Sequence, residues 1–131
     1  MFVDASALCA VLLGEPDGEE IAAKIKATKK AITSPVAIFE AALAVARVVN
    51  GDLAAARREV DSFVRLADIA LVPIGEAELE RALDAFDRFG EGQHPARLNM
   101  GDCFAYACAR THGAGLLFKG DDFAKTDVAF A

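Results

Sequence analysis

The sequence predicts an α/β fold with three layers, a short and mostly parallel sheet carrying helices on both faces. Three observations lead there. Apolar runs of strand length alternate with longer segments of helical period along the chain. Helices separate the strand candidates up to Gly115 to Lys119, and strand–helix–strand connections are right-handed and give parallel pairing. No internal repeat, low-complexity segment or linker interrupts the pattern, so residues 1–131 read as one domain. A chain of this length buries roughly two-thirds of the surface it exposes when unfolded.

In order, Met1 to Asp4 suits a strand, and Ser6 to Leu13 a helix stopped by Gly14-Glu15-Pro16. "DGEEIAAKIKAT", from Asp17 to about Thr28, has acids in its first turn and a lysine near its end, as the helix dipole favours. Ala31 to Thr33 is a brief strand. Ser34-Pro35 then supplies an N-cap and a proline at the first helical position, starting a helix that runs to Asn50-Gly51. Asp52 to Leu66 completes a helical hairpin. Ile69 to Ile74 reads as a strand and Glu76 to Phe89 as a helix. Gly90 to Met100 is the only long loop, and Gly101 to Thr111 is the last helix. "GLLFK", Gly115 to Lys119, reads as the clearest interior strand, and "DVAF" near the end as an added edge strand.

Composition narrows the function. The hydrophobic fraction is 54%, yet the best apolar run, Val36 to Val49, is broken by Glu40 and Arg47. It falls short of the ~20 residues of a membrane span. Asp4 stands where a signal peptide would be basic, so an intracellular (cytoplasmic) protein is expected. Cys9, Cys103 and Cys108 form no CxxC pair and read as small apolar residues in a reducing compartment. His94 and His112 are too far apart in sequence to suggest zinc. A net charge of −6 excludes a bulk electrostatic grip on nucleic acid, though not a local basic strip.

At least four acids, from the five candidates Asp4, Glu40, Asp102, Asp121 and Asp122, stand outside the solvated helix faces. Asp4 ends the first strand, and Asp121-Asp122 follow the Leu116 to Lys119 strand. Sites in open parallel sheets form beyond the carboxyl ends of strands. Taken singly, Asp4 reads as an N-cap and "GDD" as turn chemistry. Glu40 lies within "PVAIFEAALAVARVV", a helix expected to be buried on most sides, with Arg47 two turns away. Asp102 opens a helix whose only other charge is Arg110, and its simplest reading is dipole complementarity. Gathered together, these carboxylates repel. A hard divalent cation such as Mg²⁺ or Mn²⁺, which prefers oxygen ligands, resolves the conflict and leads to phosphoryl chemistry.

"MFVDASAL", the helical Glu40 after "SPVAIF", "LNMGDCFAYACAR" and "LLFKGDDFAKTDV" resemble, in order and spacing, the PIN-domain ribonucleases, in particular the VapC-type toxins. The resemblance covers essentially the whole chain. It implies a Mg²⁺- or Mn²⁺-dependent endoribonuclease of RNA, dimeric and inhibited by a VapB-like antitoxin. It implies Asp4, Glu40 and Asp102 as metal ligands and Ser6 as the hydroxyl that orients a bound water. For the fourth acid it leaves Asp122 and Asp121, with Asp122 favoured, Asp127 outside and Thr126 auxiliary. Water-driven hydrolysis leaves a 5′-phosphate and a 3′-hydroxyl. Arg97, Arg110, Lys119 and Lys125 are candidates for phosphate contact.

Two phospho-aspartate families share parts of this pattern. "DASA" lacks the second aspartate of haloacid-dehalogenase-like phosphatases, and neither "DASA" nor "VPIG" supplies the acids of a response-regulator receiver. The alternative of a different class is a catalytically silent PIN-like binding module. The apolar hairpin from Val36 to Leu66 would be its dimer or partner surface.

Overall fold

The computed structural model describes residues Met1–Ala131. Four strands, β1 (Phe2–Val3), β2 (Ala31–Thr33), β3 (Ile69–Leu71) and β4 (Leu116–Leu117), form a parallel sheet in the order β3-β2-β1-β4. Six helices connect them: α1 (Ala5–Leu12), α2 (Gly18–Ala27), α3 (Pro35–Val48), α4 (Leu53–Leu66), α5 (Glu76–Phe89) and α6 (Met100–Thr111). A 3₁₀ turn, Asp122–Lys125, follows β4.

The register explains how such short strands build two cores. Phe2 pairs with Ile32 on one side and Leu116 on the other, so these three share a face. They pack with Ala82, Ala85 and Phe89 of α5 and the apolar side of α6. The alternate residues Val3, Ala31, Ile69 and Leu117 face the other way, onto α1 to α4. The chain moves from β1 to β3 in one direction and then returns past β1 to β4. With right-handed crossovers, that reversal places α5 and α6 on the opposite face from α1 to α4. The expected three-layer α/β architecture is present.

Several expectations are corrected. β3 ends at Leu71 rather than Ile74: Val72 N–H still bonds to Thr33 O at 2.9 Å, but Pro73 has no N–H to continue. β4 is two residues long and stands at the end of the strand order, so β1 and β2 are the interior strands. The tail adds no regular strand. It contributes a single parallel bridge, Leu116 with Phe130, and Leu116 N–H donates to Ala129 O at 2.7 Å. The Gly90 to Met100 loop carries a bridge between Gly90 and Leu98, which fixes Leu98 in the core. α3 is covered on most sides, with Ile38, Ala41, Ala42 and Val45 facing the core, and is exposed at Pro35, Phe39, Arg47 and Val48.

At the centre of the sheet the buried Thr33 hydroxyl donates to Val3 O at 2.8 Å, joining β2 to the end of β1. Thr33→Val removes this bond and leaves a buried carbonyl short of a partner. Chemical denaturation should read a loss of about 1–3 kcal/mol.

Candidate metal-binding active site

Helices that cross over between parallel strands run antiparallel to them, so their N-termini gather at the carboxyl edge of the sheet. That edge collects the unusual acids. Asp4 directly follows β1 and caps α1: its Oδ2 accepts Ser6 N–H at 3.0 Å and the Ser6 hydroxyl at 2.5 Å. The Ser6 oxygen in turn accepts Lys119 N–H at 3.0 Å, which ties the exit of β4 to the first acid. The N-cap reading of Asp4 is therefore right as far as it goes. Yet Asp4 is 5% exposed, which capping alone does not require.

Glu40 is half-buried on the second turn of α3, whose start is fixed by the Ser34 hydroxyl accepting Ala37 N–H at 3.2 Å. Asp102 lies in the first turn of α6 and forms a reciprocal cap with Asn99. Asp102 Oδ2 accepts Asn99 N–H at 3.0 Å, and Asn99 Oδ1 accepts Asp102 N–H at 2.9 Å. Asp122, in the 3₁₀ turn beyond β4, is exposed, as is Asp121 before it.

The electrostatics show which acids feel one another's charge. Burial raises the Asp4 carboxyl above the usual range, against the lowering hydrogen bonds from Ser6, and the Asp122 charge adds to the rise. Glu40 is pushed up to about 7, first by burial and then by the charges of Asp4 and Asp102. Asp102 is pushed up to about 6 by burial, with the Asn99 hydrogen bond opposing and the charges of Asp4, Asp122 and Glu91 adding. The Asp4 charge thus acts on both Glu40 and Asp102, and Asp122 acts on Asp4 and Asp102, while Asp121 raises none of the three.

No cation compensates these acids. The ion pairs of the fold join Lys24 to Glu20, Arg57 to Asp61, Arg88 to Asp84 and Asp127, and Lys119 to Glu15 and Asp17. Lys119 is therefore engaged with the loop between α1 and α2 and does not reach toward the acids. Asp127 is likewise held elsewhere, by Arg88 at 2.7 Å and the Tyr106 hydroxyl at 2.7 Å. The Thr126 hydroxyl donates to Phe123 O at 2.8 Å and so shapes the 3₁₀ turn. Lys125 lies 3.4 Å from Pro95 O, Arg110 stands 6.0 Å from the Tyr106 ring, and Arg97 is exposed.

The four carboxylates do not close into a coordination cage; no three His, Cys, Asp or Glu side chains have metal-holding spacing. Repelling carboxylates are expected to stand apart until a cation draws them in. The donor set is all carboxylate oxygen, which fits Mg²⁺ or Mn²⁺ and does not fit a thiolate- or imidazole-seeking metal. A further residue went unnoticed in the sequence. A Cβ added to Gly101, just before Asp102, would overlap the Glu40 carboxylate. The only signal in the sequence is that glycine is a poor helix former where alanine would serve.

A family model for the PIN domain matches residues 1–129. The chain belongs to the PIN-domain family. This PIN domain is 41% identical to a VapC ribonuclease of Rhizobium meliloti (strain 1021), an alignment that covers 97% of this chain and 98% of the relative. It is 37% identical to the ribonuclease VapC of Mycolicibacterium smegmatis, with 98% of each chain covered. Both matches bear out the resemblance to VapC-type PIN domains. Among solved structures, it superposes on Mycobacterium tuberculosis VapC20, described as a Sarcin-Ricin loop cleaving toxin, with a TM-score of 0.75 and 17% identity over 99% of this chain and 97% of that one. A toxin–antitoxin complex from Klebsiella pneumoniae gives a TM-score of 0.71 at 16% identity, covering 99% and 95%. These two likenesses establish the PIN fold.

Proposed function

We propose that this PIN domain is a divalent-metal-dependent endoribonuclease toxin that hydrolyses RNA phosphodiester bonds and is held inactive by a cognate VapB-like antitoxin. One observation carries the reading. Asp4, Glu40 and Asp102, from three separate segments, are partly desolvated and unpaired with any lysine or arginine; the Asp4 charge raises the other two, and the exposed Asp122 adds its charge to Asp4 and Asp102. The VapC ribonucleases among its relatives supply the substrate class.

In this reading Asp4, Glu40, Asp102 and Asp122 hold Mg²⁺ or Mn²⁺, and Asp121 stays outside. The cation, when bound, activates water toward the phosphate and stabilises the charge that develops on it. The chain's own work is positioning. Ser6 fixes the Asp4 carboxylate and links it to the backbone of Lys119. Asn99 fixes the Asp102 carboxylate. Arg97 and Lys125 are left to contact the RNA backbone, since Glu15 and Asp17 occupy Lys119 and Arg110 lies in the last turn of α6, at the far end from Asp102. Ser6→Ala should therefore slow cleavage by about 10–100-fold, the usual cost of losing an orienting partner. Initial rates at saturating Mg²⁺ check this.

A homodimer belongs to the same reading. Phe39, Leu53 and Leu71 border an exposed apolar groove of ≈ 340 Å³ beside α3 and α4. That groove also favours a silent binding module as the second reading. Cleavage assays on mixed RNA with Mg²⁺, Mn²⁺ and EDTA separate the two. The toxin reading predicts discrete, EDTA-sensitive fragments with 5′-phosphate ends. Metal binding without cleavage of any RNA, by folded and antitoxin-free protein, would favour the binding module.

A further inference from the structure

Gly101 is hard to explain as a helix residue. It is buried at the second position of α6, and its φ lies outside the left-handed range that favours glycine. Alanine would serve a helix better there. What it does is keep a space empty. A Cβ at this position would fall on both oxygens and the Cδ of the Glu40 carboxylate. The end of Glu40, reaching across from α3, lies against the bare backbone of α6 immediately before Asp102.

We propose that Gly101 is a positioning residue that seats the Glu40 carboxylate beside Asp102. The inference rests on the reading of Glu40 as a metal ligand. The seat explains how a side chain from the α1–α4 layer meets one from the α5–α6 layer. It also places two mutually repelling acids in one locality, which is the arrangement a cation needs. A methyl group in the seat forces Glu40 to another rotamer and takes its oxygens out of the position they hold.

The test is a set of variants read by Mn²⁺ titration calorimetry and by thermal unfolding. Wild type should bind Mn²⁺ and Glu40→Gln should bind it weakly. Gly101→Ala should lose about tenfold or more in Mn²⁺ affinity, as expected when an orienting contact is lost. In a Glu40→Ala background the seat has no occupant, so adding Gly101→Ala should leave the unfolding midpoint unchanged or raised. Gly101→Ala that binds Mn²⁺ as tightly as wild type would overturn the inference. So would a Gly101→Ala penalty on the midpoint that is equal with and without Glu40, the mark of a purely structural glycine. If Gly101→Ala alone does not fold, a folded Glu40→Ala/Gly101→Ala double variant supports the seat and an unfolded one rejects it. Failure of wild type to bind Mn²⁺, or equal binding by Glu40→Gln, would instead reject the metal-site reading, and the stability cycle would still decide whether the seat exists.

Discussion

Asp4→Asn should lower RNA cleavage by about a hundredfold or more, beyond the loss expected for an orienting partner, and leave the fold intact. The two effects separate because Asp4 has two roles. As the cap of α1 it accepts Ser6 N–H, and asparagine is as good an N-cap as aspartate. As a buried acid beside Asp122 it carries a charge that the metal-free fold tolerates poorly. The substitution keeps the cap and removes the charge, so the unfolding midpoint should hold or rise. Turnover on RNA and thermal unfolding, measured together, read both effects. A midpoint lowered by more than ~4 °C, roughly the mark of a lost kcal/mol in a domain of this size, would assign Asp4 to the fold. Undiminished turnover would remove it from the site.

The second large effect is a reversed pH dependence of the metal-free protein. Glu40 and Asp102 have folded values of about 7 and about 6, against ordinary values of 4.5 and 3.8. Between these limits the folded state holds protons that the unfolded state has released, so these groups make stability fall as pH rises. Their contribution is most favourable below about pH 4 and is lost as pH passes through 6 to 7. Glu40 is half-exposed and solvent screens it, so a change of a few degrees in the midpoint is expected. Asp127 and Glu78 are lowered and act in the opposite sense. The comparison that isolates the effect is therefore wild type against Glu40→Gln, from pH 5 to pH 8. Glu40→Gln should gain on wild type as pH rises. Mg²⁺ should raise the wild-type midpoint strongly at pH 8 and little at pH 5, because it binds the ionised acids. A Mg²⁺ shift of equal size at both pH values would contradict this.

Much of this was legible in the sequence, for identifiable reasons. Helix starts carry local chemistry: Ser34-Pro35, read as a cap, is one in the structure, and Asp102 lies in the first turn of α6 as expected, though its partner Asn99 is not read as a cap from the sequence. The acids were conspicuous because Asp4 and Glu40 interrupt apolar runs, and burial does raise both. Strand lengths were not legible, since β4 and the tail are set by pairing across the sheet rather than by local propensity. Nor was the engagement of Lys119, whose partner Glu15 lies 104 residues away. Between Asp121 and Asp122 the sequence favours Asp122 only by resemblance; of the two, it is the Asp122 charge that raises Asp4 and Asp102. Gly101 shows the same limit, because its partner Glu40 comes from another helix.

The central claim is that Asp4, Glu40, Asp102 and Asp122 form one divalent-metal centre. The most direct measurement is a crystal of this protein grown with Mn²⁺, read by anomalous scattering. A Mn²⁺ peak enclosed by oxygens of these carboxylates is the predicted result. A well-ordered site with no peak there, or Mn²⁺ bound only elsewhere on the chain, would contradict it.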